Sequence, residues 1–495
     1  MTKKLYLNPI LALLSGCAAA LGQAPWSLWF ITLIAFTFSF RLLIECRNYK
    51  QASSVGFFTG LGYFTISLSW IMEPFLIPGS NNQWLAPFAL FSLSAGLSLF
   101  WLFAYSISIL ISSKCGLVFT TVLSLSAVEY LRSIAFSGFP WSLIGYIWSD
   151  HPILQLSSVI GPHGLTLLTL LIAGLPFFSL KPKILRLILP ILLLVGSWTY
   201  GYLSVKKTDP YKPTKFVRLI QPNAAQHEKW DRELIPVFWK RQLEYTRASS
   251  VQSLDLIIWP ETSVSTLLND ASEILKVISS NASDIPVIIG INDLVNDGIK
   301  NSIIVIGEKG SVVDKFHKKK LVPFGEYMPF GGWLAARGIN SLAVIDGTGY
   351  RPGTGERLLR IPGLGHVIPL ICYELIFPSK VKSKIRPNMV IQITNDAWFG
   401  TYSGPYQHLA QARFRAVEQA LPVIRVANTG ISAVIDSKGR IIAQTKLNEA
   451  TFLDAPIPRS GSKTLYAKFS DWPVLSFLSI FLLISVLPRK KMIKD

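Results

Sequence analysis

Two different patterns of apolar positions divide this chain. Up to about residue 203 the apolar residues come in long unbroken stretches: 5–21, 26–44, 55–77, 85–112, 116–131, 154–180 and 184–203. One more, 472–487, lies near the C-terminus. Each is long enough, as a helix, to approach or cross roughly 30 Å of hydrocarbon. The pattern therefore predicts about eight transmembrane helices. Between residues 204 and 469 the apolar runs are short and separated by polar and Gly/Pro turns. Strands are expected at 216–220, 254–259, 287–291, 302–306, 367–371, 389–394, 421–426 and 432–435. Helices are expected at 233–249, 271–280 and 406–419, where Leu409, Ala412, Ala416 and Gln419 recur at helical spacing. Strands alternating with helices over this length predict one layered α/β domain. The expected division is a seven-span region at 1–203, a domain at 204–469, and a last span with its tail at 470–495.

Composition supports a bilayer as solvent for part of the chain. Mean hydropathy is +0.40 and only 16% of the 495 residues are charged. The net charge of +19 would fit nucleic-acid binding, but the basic residues cluster beside apolar spans. Lys3 and Lys4 precede the first span; Arg41, Arg47 and Lys50 follow the second and Lys114 the fourth. Lys181, Lys183 and Arg186 follow the sixth, and Arg489, Lys490 and Lys491 the last. Every alternate loop is basic, which the positive-inside rule explains. Both termini are then expected in the cytoplasm and the 204–469 domain outside, with no nucleic-acid partner.

The four cysteines, Cys17, Cys46, Cys115 and Cys372, have no metal-ligand spacing and read as isolated thiols. Leu14-Ser15-Gly16-Cys17 after two lysines resembles a lipoprotein signal, but the apolar pattern continues into a second span, and a first transmembrane helix is the plainer expectation. The stretch 137–146, Ser-Gly-Phe-Pro-Trp-Ser-Leu-Ile-Gly-Tyr, reads as an aromatic belt at the membrane interface, or as a lipid-contacting wall beneath the domain. Glu73, Glu129 and His163 in or beside spans are too few to define a conduction path.

Three strand-like runs in the domain end in chemistry. Residues 367–372 deliver Cys372 to a Tyr373-Glu374 turn. Residues 256–261 end at Trp259-Pro260-Glu261, and Phe316-His317 leads to Lys318, eight residues before Glu326. A thiol needs a base for its proton and a cation for the oxyanion it creates. Singly, each residue is as easily structural: a buried cysteine, a turn glutamate, a solvated lysine triplet. Together, in this order, they resemble the nitrilase or carbon-nitrogen hydrolase superfamily. Gly138-Phe-Pro-Trp141, Lys229-Trp230-Asp231, residues 321–327 (Leu-Val-Pro-Phe-Gly-Glu-Tyr), residues 395–400 (Asn-Asp-Ala-Trp-Phe-Gly), Gln407-His408, Arg413, Arg415, Glu418, Arg425 and Asn428 extend the likeness over nearly the whole chain. They make it similar to that superfamily's membrane branch, the apolipoprotein N-acyltransferase family.

The resemblance implies an eight-helix membrane domain carrying a nitrilase-like α-β-β-α sandwich on the periplasmic side of a bacterial inner membrane. It implies transfer of an acyl chain from a phospholipid, expected to be phosphatidylethanolamine, through a Cys372 thioester to the amine of the S-diacylglyceryl-cysteine of an apolipoprotein. Glu261 would be general base, Lys318 would stabilise the oxyanion, and Cys372 would be the nucleophile. Glu326 and Glu374 would support them, and Trp230 and Tyr373 would bind substrate. No metal or cofactor is expected, and a monomer is. Arg413, Arg415 and Arg425 either meet phosphate head groups or lie in buried ion pairs. The competing readings are a membrane-anchored amidase that uses water as acceptor, and a non-catalytic transporter or lipid-binding protein.

Overall fold

The computed structural model describes residues 2–79, 82–112, 116–206, 213–296, 298–329, 349–381 and 383–486. Cys115, Lys114 and the basic residues 489–491 lie outside them.

The first region is helical. Among the described residues, four helical stretches are long and apolar enough to cross a bilayer: Gln83–Ile111, Leu117–Ile134, Pro152–Phe177 and Leu185–Lys206. A fifth is formed if Tyr49–Ser67 and Ser69–Leu76, which meet at a 65° bend, count as one span. Three shorter apolar helices occupy the other expected positions: Asn8–Ala20, Trp29–Ile44 and Trp472–Ser485. Trp29–Ile44 has 16 residues and reaches only about 24 Å.

The run expected as one helix at 55–77 is thus broken. Leu68 leaves helical geometry, and the chain continues as a 3-10 turn and then a one-turn helix that begins Glu73-Pro74. The break lets Trp70 turn inward, where it packs on Trp141 and Phe399. The 2–20, 49–67 and 86–111 helices pack closely through small residues. A Cβ on Gly16 would sit 2.0 Å from the Thr59 carbonyl oxygen, and one on Gly62 2.1 Å from that of Leu13. Gly16-Cys17 therefore lies inside a packed helix pair. Glu129 and His163 are paired in this region: Arg132 bonds Glu129 at 2.8 Å, and His163 bonds Asp471 at 3.0 Å.

The second region holds two six-stranded sheets. In the first, spatial order is Thr451–Pro456, Phe216–Gln221, Leu256–Ile258, Val287–Val295, Gly298–Ile306 and Val312–His317. In the second it is Ile441–Gln444, Ala433–Ile435, Val423–Ala427, Met389–Thr394, Gly365–Ile371 and Leu359–Ile361. The inner strands are buried on both faces, so they read as continuous apolar runs. Alternate side chains then serve two cores. Ile258, Ile288 and Ile303 of the first sheet share one core with Ile371, Ile391, Ile393 and Ile424 of the second. Ile257, Ile289 and Ile304 face outward under the helices Ile235–Arg247 and Ser272–Asn281. Ile368, Leu370 and Val390 face outward under Gly404–Gln419. The result is the nitrilase-like helix-sheet-sheet-helix layering.

The Gly404–Gln419 layer is the one that meets the membrane helices. Trp141 Nε1 donates to Gln407 Oε1 at 2.7 Å, and Gln407 Nε2 donates to the carbonyls of Ser67 at 3.0 Å and Ala24 at 3.2 Å. Trp141 is fully buried. The 137–146 stretch is therefore a buried junction between the two regions, not an interfacial belt, because its Trp and Tyr find their polar partners in the sandwich.

Candidate active site

Glu261 follows a buried strand, and the Trp259-Pro260 step stops the ladder and turns its side chain out of the sheet end. Its carboxylate is held on all sides. Asn301 Nδ2 donates to Oε1 at 2.8 Å, Lys318 Nζ to Oε1 at 3.2 Å, and the Asn395 backbone N–H to Oε2 at 2.9 Å. Lys318 lies just past the strand Val312–His317; its backbone N–H bonds the Asn301 carbonyl at 2.8 Å. Its ammonium is 1% exposed and lies 2.7 Å from Glu326 Oε1 as well. Of the three consecutive lysines it alone enters the carboxylate cluster. Lys319 and Lys320 lay their ammonium groups over Phe316 and Phe377.

Burial works against the Lys318 charge, but Glu261 and Glu326 outweigh it and hold the ammonium well above its ordinary range. Glu326 is pushed up by burial, with Lys318 opposing, and its Oε2 accepts the Val322 N–H at 2.9 Å.

Cys372 ends the strand Gly365–Ile371 and opens a 3-10 turn, Cys372–Ile376. Its φ of +48° is unusual for a side-chain-bearing residue. Such sharp, strained strand-end turns present nucleophiles in other α/β folds. The thiol is 6% exposed. Burial and the Glu261 charge push it up, and Lys318 pulls it down. The thiol thus lies within the electrostatic reach of both the Glu261 carboxylate and the Lys318 ammonium.

Glu374 lies two residues further, at the centre of a set of hydrogen bonds. Its Oε1 accepts from the backbone N–H of Lys319 at 2.9 Å and of Lys320 at 3.2 Å, and from Arg357 Nη2 at 2.7 Å. Its Oε2 accepts the Ile371 N–H at 3.0 Å. It therefore ties the backbone after Lys318 to the backbone before Cys372. Burial raises its pKa, but Arg357 and these donors together hold it below the ordinary range.

Trp230 is 46% exposed and lines a cavity of about 420 Å³ together with Glu261 and Lys229. Tyr373 is not among the residues lining that cavity. Its hydroxyl donates to the Gly138 carbonyl at 3.2 Å and its ring packs edge-on to Phe377, joining the Cys372 turn to the helical region. The arginines settle into ion pairs rather than a head-group site. Arg415 bonds Glu418 at 2.7 Å, Arg425 bonds Asp396, and Arg413 bonds Asp150.

Sequence reasoning missed Asn301 and Arg357, and gave Lys229 no role. Lys229 Nζ donates to the Glu261 carbonyl at 3.0 Å, and burial lowers it to about 8 against the pull of Glu261 and Cys372. Its position beside Trp230 in the Lys229-Trp230-Asp231 stretch was the available signal.

Residues 15–175 match the apolipoprotein N-acyltransferase N-terminal domain, and residues 217–466 match the carbon-nitrogen hydrolase domain. An apolipoprotein N-acyltransferase of Caulobacter vibrioides is 34% identical over 98% of this chain and 94% of its own length. One of Rhodopseudomonas palustris is 31% identical over 97% and 95%. The chain belongs to the apolipoprotein N-acyltransferase family. A solved Nesterenkonia amidase of the nitrilase superfamily is 16% identical, covering 50% of this chain and 92% of its own, with a TM-score of 0.37. As a member of the apolipoprotein N-acyltransferase family the chain is an acyltransferase.

Proposed function

We propose that this protein moves a fatty acyl chain from a membrane phospholipid to the N-terminal amine of the S-diacylglyceryl-cysteine of apolipoproteins, by way of a thioester on Cys372. In the first step Glu261 takes the Cys372 proton as sulfur attacks the sn-1 ester carbonyl. Lys318 stabilises the tetrahedral oxyanion, and the lysophospholipid leaves as its alkoxide receives the proton from Glu261. In the second step the amine attacks the thioester, Glu261 accepts its proton, and the thiolate leaves and is reprotonated. The burial of one cation between two carboxylates, beside a cysteine on a strained strand end, carries this reading.

The membrane setting accounts for the choice of acceptor over water. Thiolate leaves readily towards an amine, and an acyl chain held at the bilayer keeps water from the thioester. The eight-span arrangement belongs to this proposal, with divisions at 203 and 469, cytoplasmic termini and a periplasmic catalytic unit. So do phosphatidylethanolamine as donor and a monomer as the working form.

Intact mass after incubation with phosphatidylethanolamine alone tests the first step. A hydroxylamine-labile acyl adduct is expected on wild type and not on Cys372→Ala. A diacylated lipopeptide should discharge it and emerge triacylated. Discharge to water alone would make the protein a lipid hydrolase, and an unacylated Cys372 under all lipids would end the proposal.

A further inference from the structure

The 420 Å³ cavity that Trp230 lines is not accounted for by the chemistry above. It lies between Ile235–Arg247 and Ser272–Asn281, the helices over the outer face of the first sheet. Its walls are mostly apolar and include Phe238, Trp239, Ile274 and Val277. Glu261 and Lys229 also line it, so it borders the residue proposed as the base. The helical region contacts the opposite layer, through Gly404–Gln419. A lipid chain rising from the bilayer and a polypeptide leaving it would thus reach the reacting groups from opposite sides.

We propose that this cavity takes the peptide segment that follows the acylated cysteine of the acceptor. The proposal rests on the reading of Glu261, Lys318 and Cys372 as an acyl-transfer site for that acceptor. Two polar groups favour a peptide over an alkyl chain. Gln242 at the cavity wall donates through Nε2 to the carbonyls of Phe238 at 3.2 Å and Ser263 at 3.1 Å. Those two acceptors fix which way the amide points, and its Oε1 is left buried without a hydrogen-bond partner. A peptide N–H answers that need and a methylene does not. Lys229 spends one N–H on the Glu261 carbonyl and has others for a peptide carbonyl. The aromatic walls suit apolar side chains between these two contacts.

The test uses the full chain in lipid-detergent micelles and two variants, Ile274→Trp, which fills the cavity, and Gln242→Leu, which is close in size and removes the unpaired acceptor. Thioester formation from phosphatidylethanolamine is timed first. Discharge is then measured with a diacylated lipopeptide of several residues and with S-diacylglyceryl-cysteine amide, which has no peptide. The lipopeptide KM is expected to rise about tenfold or more in Ile274→Trp and less in Gln242→Leu, equivalent to about 1.4 kcal/mol for each tenfold step. The amide's KM should not change in either. Equal effects on both acceptors, or none on either, would overturn the proposal. A slower thioester step would overturn it too, by assigning the cavity to the donor's acyl chain. A wild type that forms no thioester would instead defeat the underlying acyl-transfer reading, before any variant is compared.

Discussion

Replacing Glu326 by Gln tests whether one ammonium is kept charged by two carboxylates. Glu326 lies 2.7 Å and Glu261 3.2 Å from Lys318 Nζ, all three being buried or nearly so. Two unit charges about 4 Å apart at an effective dielectric of about 20 attract by about 4 kcal/mol. That is about a thousandfold in proton affinity. Losing the Glu326 charge therefore weakens the hold of Lys318 on its proton by up to that factor, and burial is then less fully opposed. The sign follows directly. In the proposed chemistry Lys318 works as a cation, present below its folded pKa and lost above it, and wild type places that limit well above the ordinary lysine range. In Glu326→Gln the limit moves down. The assay is the single-turnover rate of thioester formation on Cys372, read by intact mass from about pH 6 to about pH 10, a window that reaches the ordinary lysine pKa. The variant's rate should begin to fall at lower pH than wild type, and Glu326→Asp should restore much of the profile by restoring the charge. A variant with the wild-type pH profile would refute the shared-ammonium argument.

Three other substitutions separate positioning from chemistry. Glu374→Gln leaves Arg357 buried without its counter-charge and should cost about 3–5 kcal/mol in stability; a wild-type unfolding midpoint would contradict this. The folded Glu374 carboxyl titrates below its unfolded value, so its contribution is complete above that unfolded value and is lost as pH falls through the folded one. The stability gap between Glu374→Gln and wild type should therefore narrow in acid. Asn301→Leu removes the 2.8 Å bond to Glu261 Oε1 and should slow thioester formation about 10- to 100-fold with little change in donor KM. Gln407→Leu unpairs the Trp141 N–H and the carbonyls of Ala24 and Ser67. Thermal unfolding in detergent should show a loss of about 3 kcal/mol or more.

Much of the sandwich was legible because its inner strands are buried on both faces and so appear as uninterrupted apolar runs, with Glu261 and Cys372 conspicuous at their ends. The edge strands Leu359–Ile361, Ile441–Gln444 and Thr451–Pro456 were not, because partly exposed strands carry weak patterns. The sharper limit concerns polar residues whose meaning is purely spatial. Asn301 sits mid-strand and Arg357 in a loop, with nothing local to mark them. Trp141 looks like an interfacial residue until the fold brings Gln407, 266 positions away, to its indole N–H. Glu374 stands beside Cys372 in sequence, but that its four hydrogen bonds tie two backbone segments together is visible only in the fold.

These spatial contacts converge on two short segments, and the convergence gives the helical region a role beyond anchoring. Trp70 and Trp141 pack on Phe399, and Glu73 lies so close to Gly400 that a Cβ there would meet its carboxyl at 2.3 Å. The same turn begins at Asn395, whose backbone N–H grips the Glu261 carboxylate. Tyr373, next to Cys372, is bonded to Gly138. Glu261 and Cys372 are thus each one or two contacts from membrane helices. A displacement of the bent 49–76 segment would be passed to Glu261 through the 395–400 turn, and one of the 137–141 stretch to Cys372 through Tyr373. Separating the sandwich from its helices would therefore disturb the geometry around Glu261 and Cys372, since Phe399 and Tyr373 would lose partners that fix them.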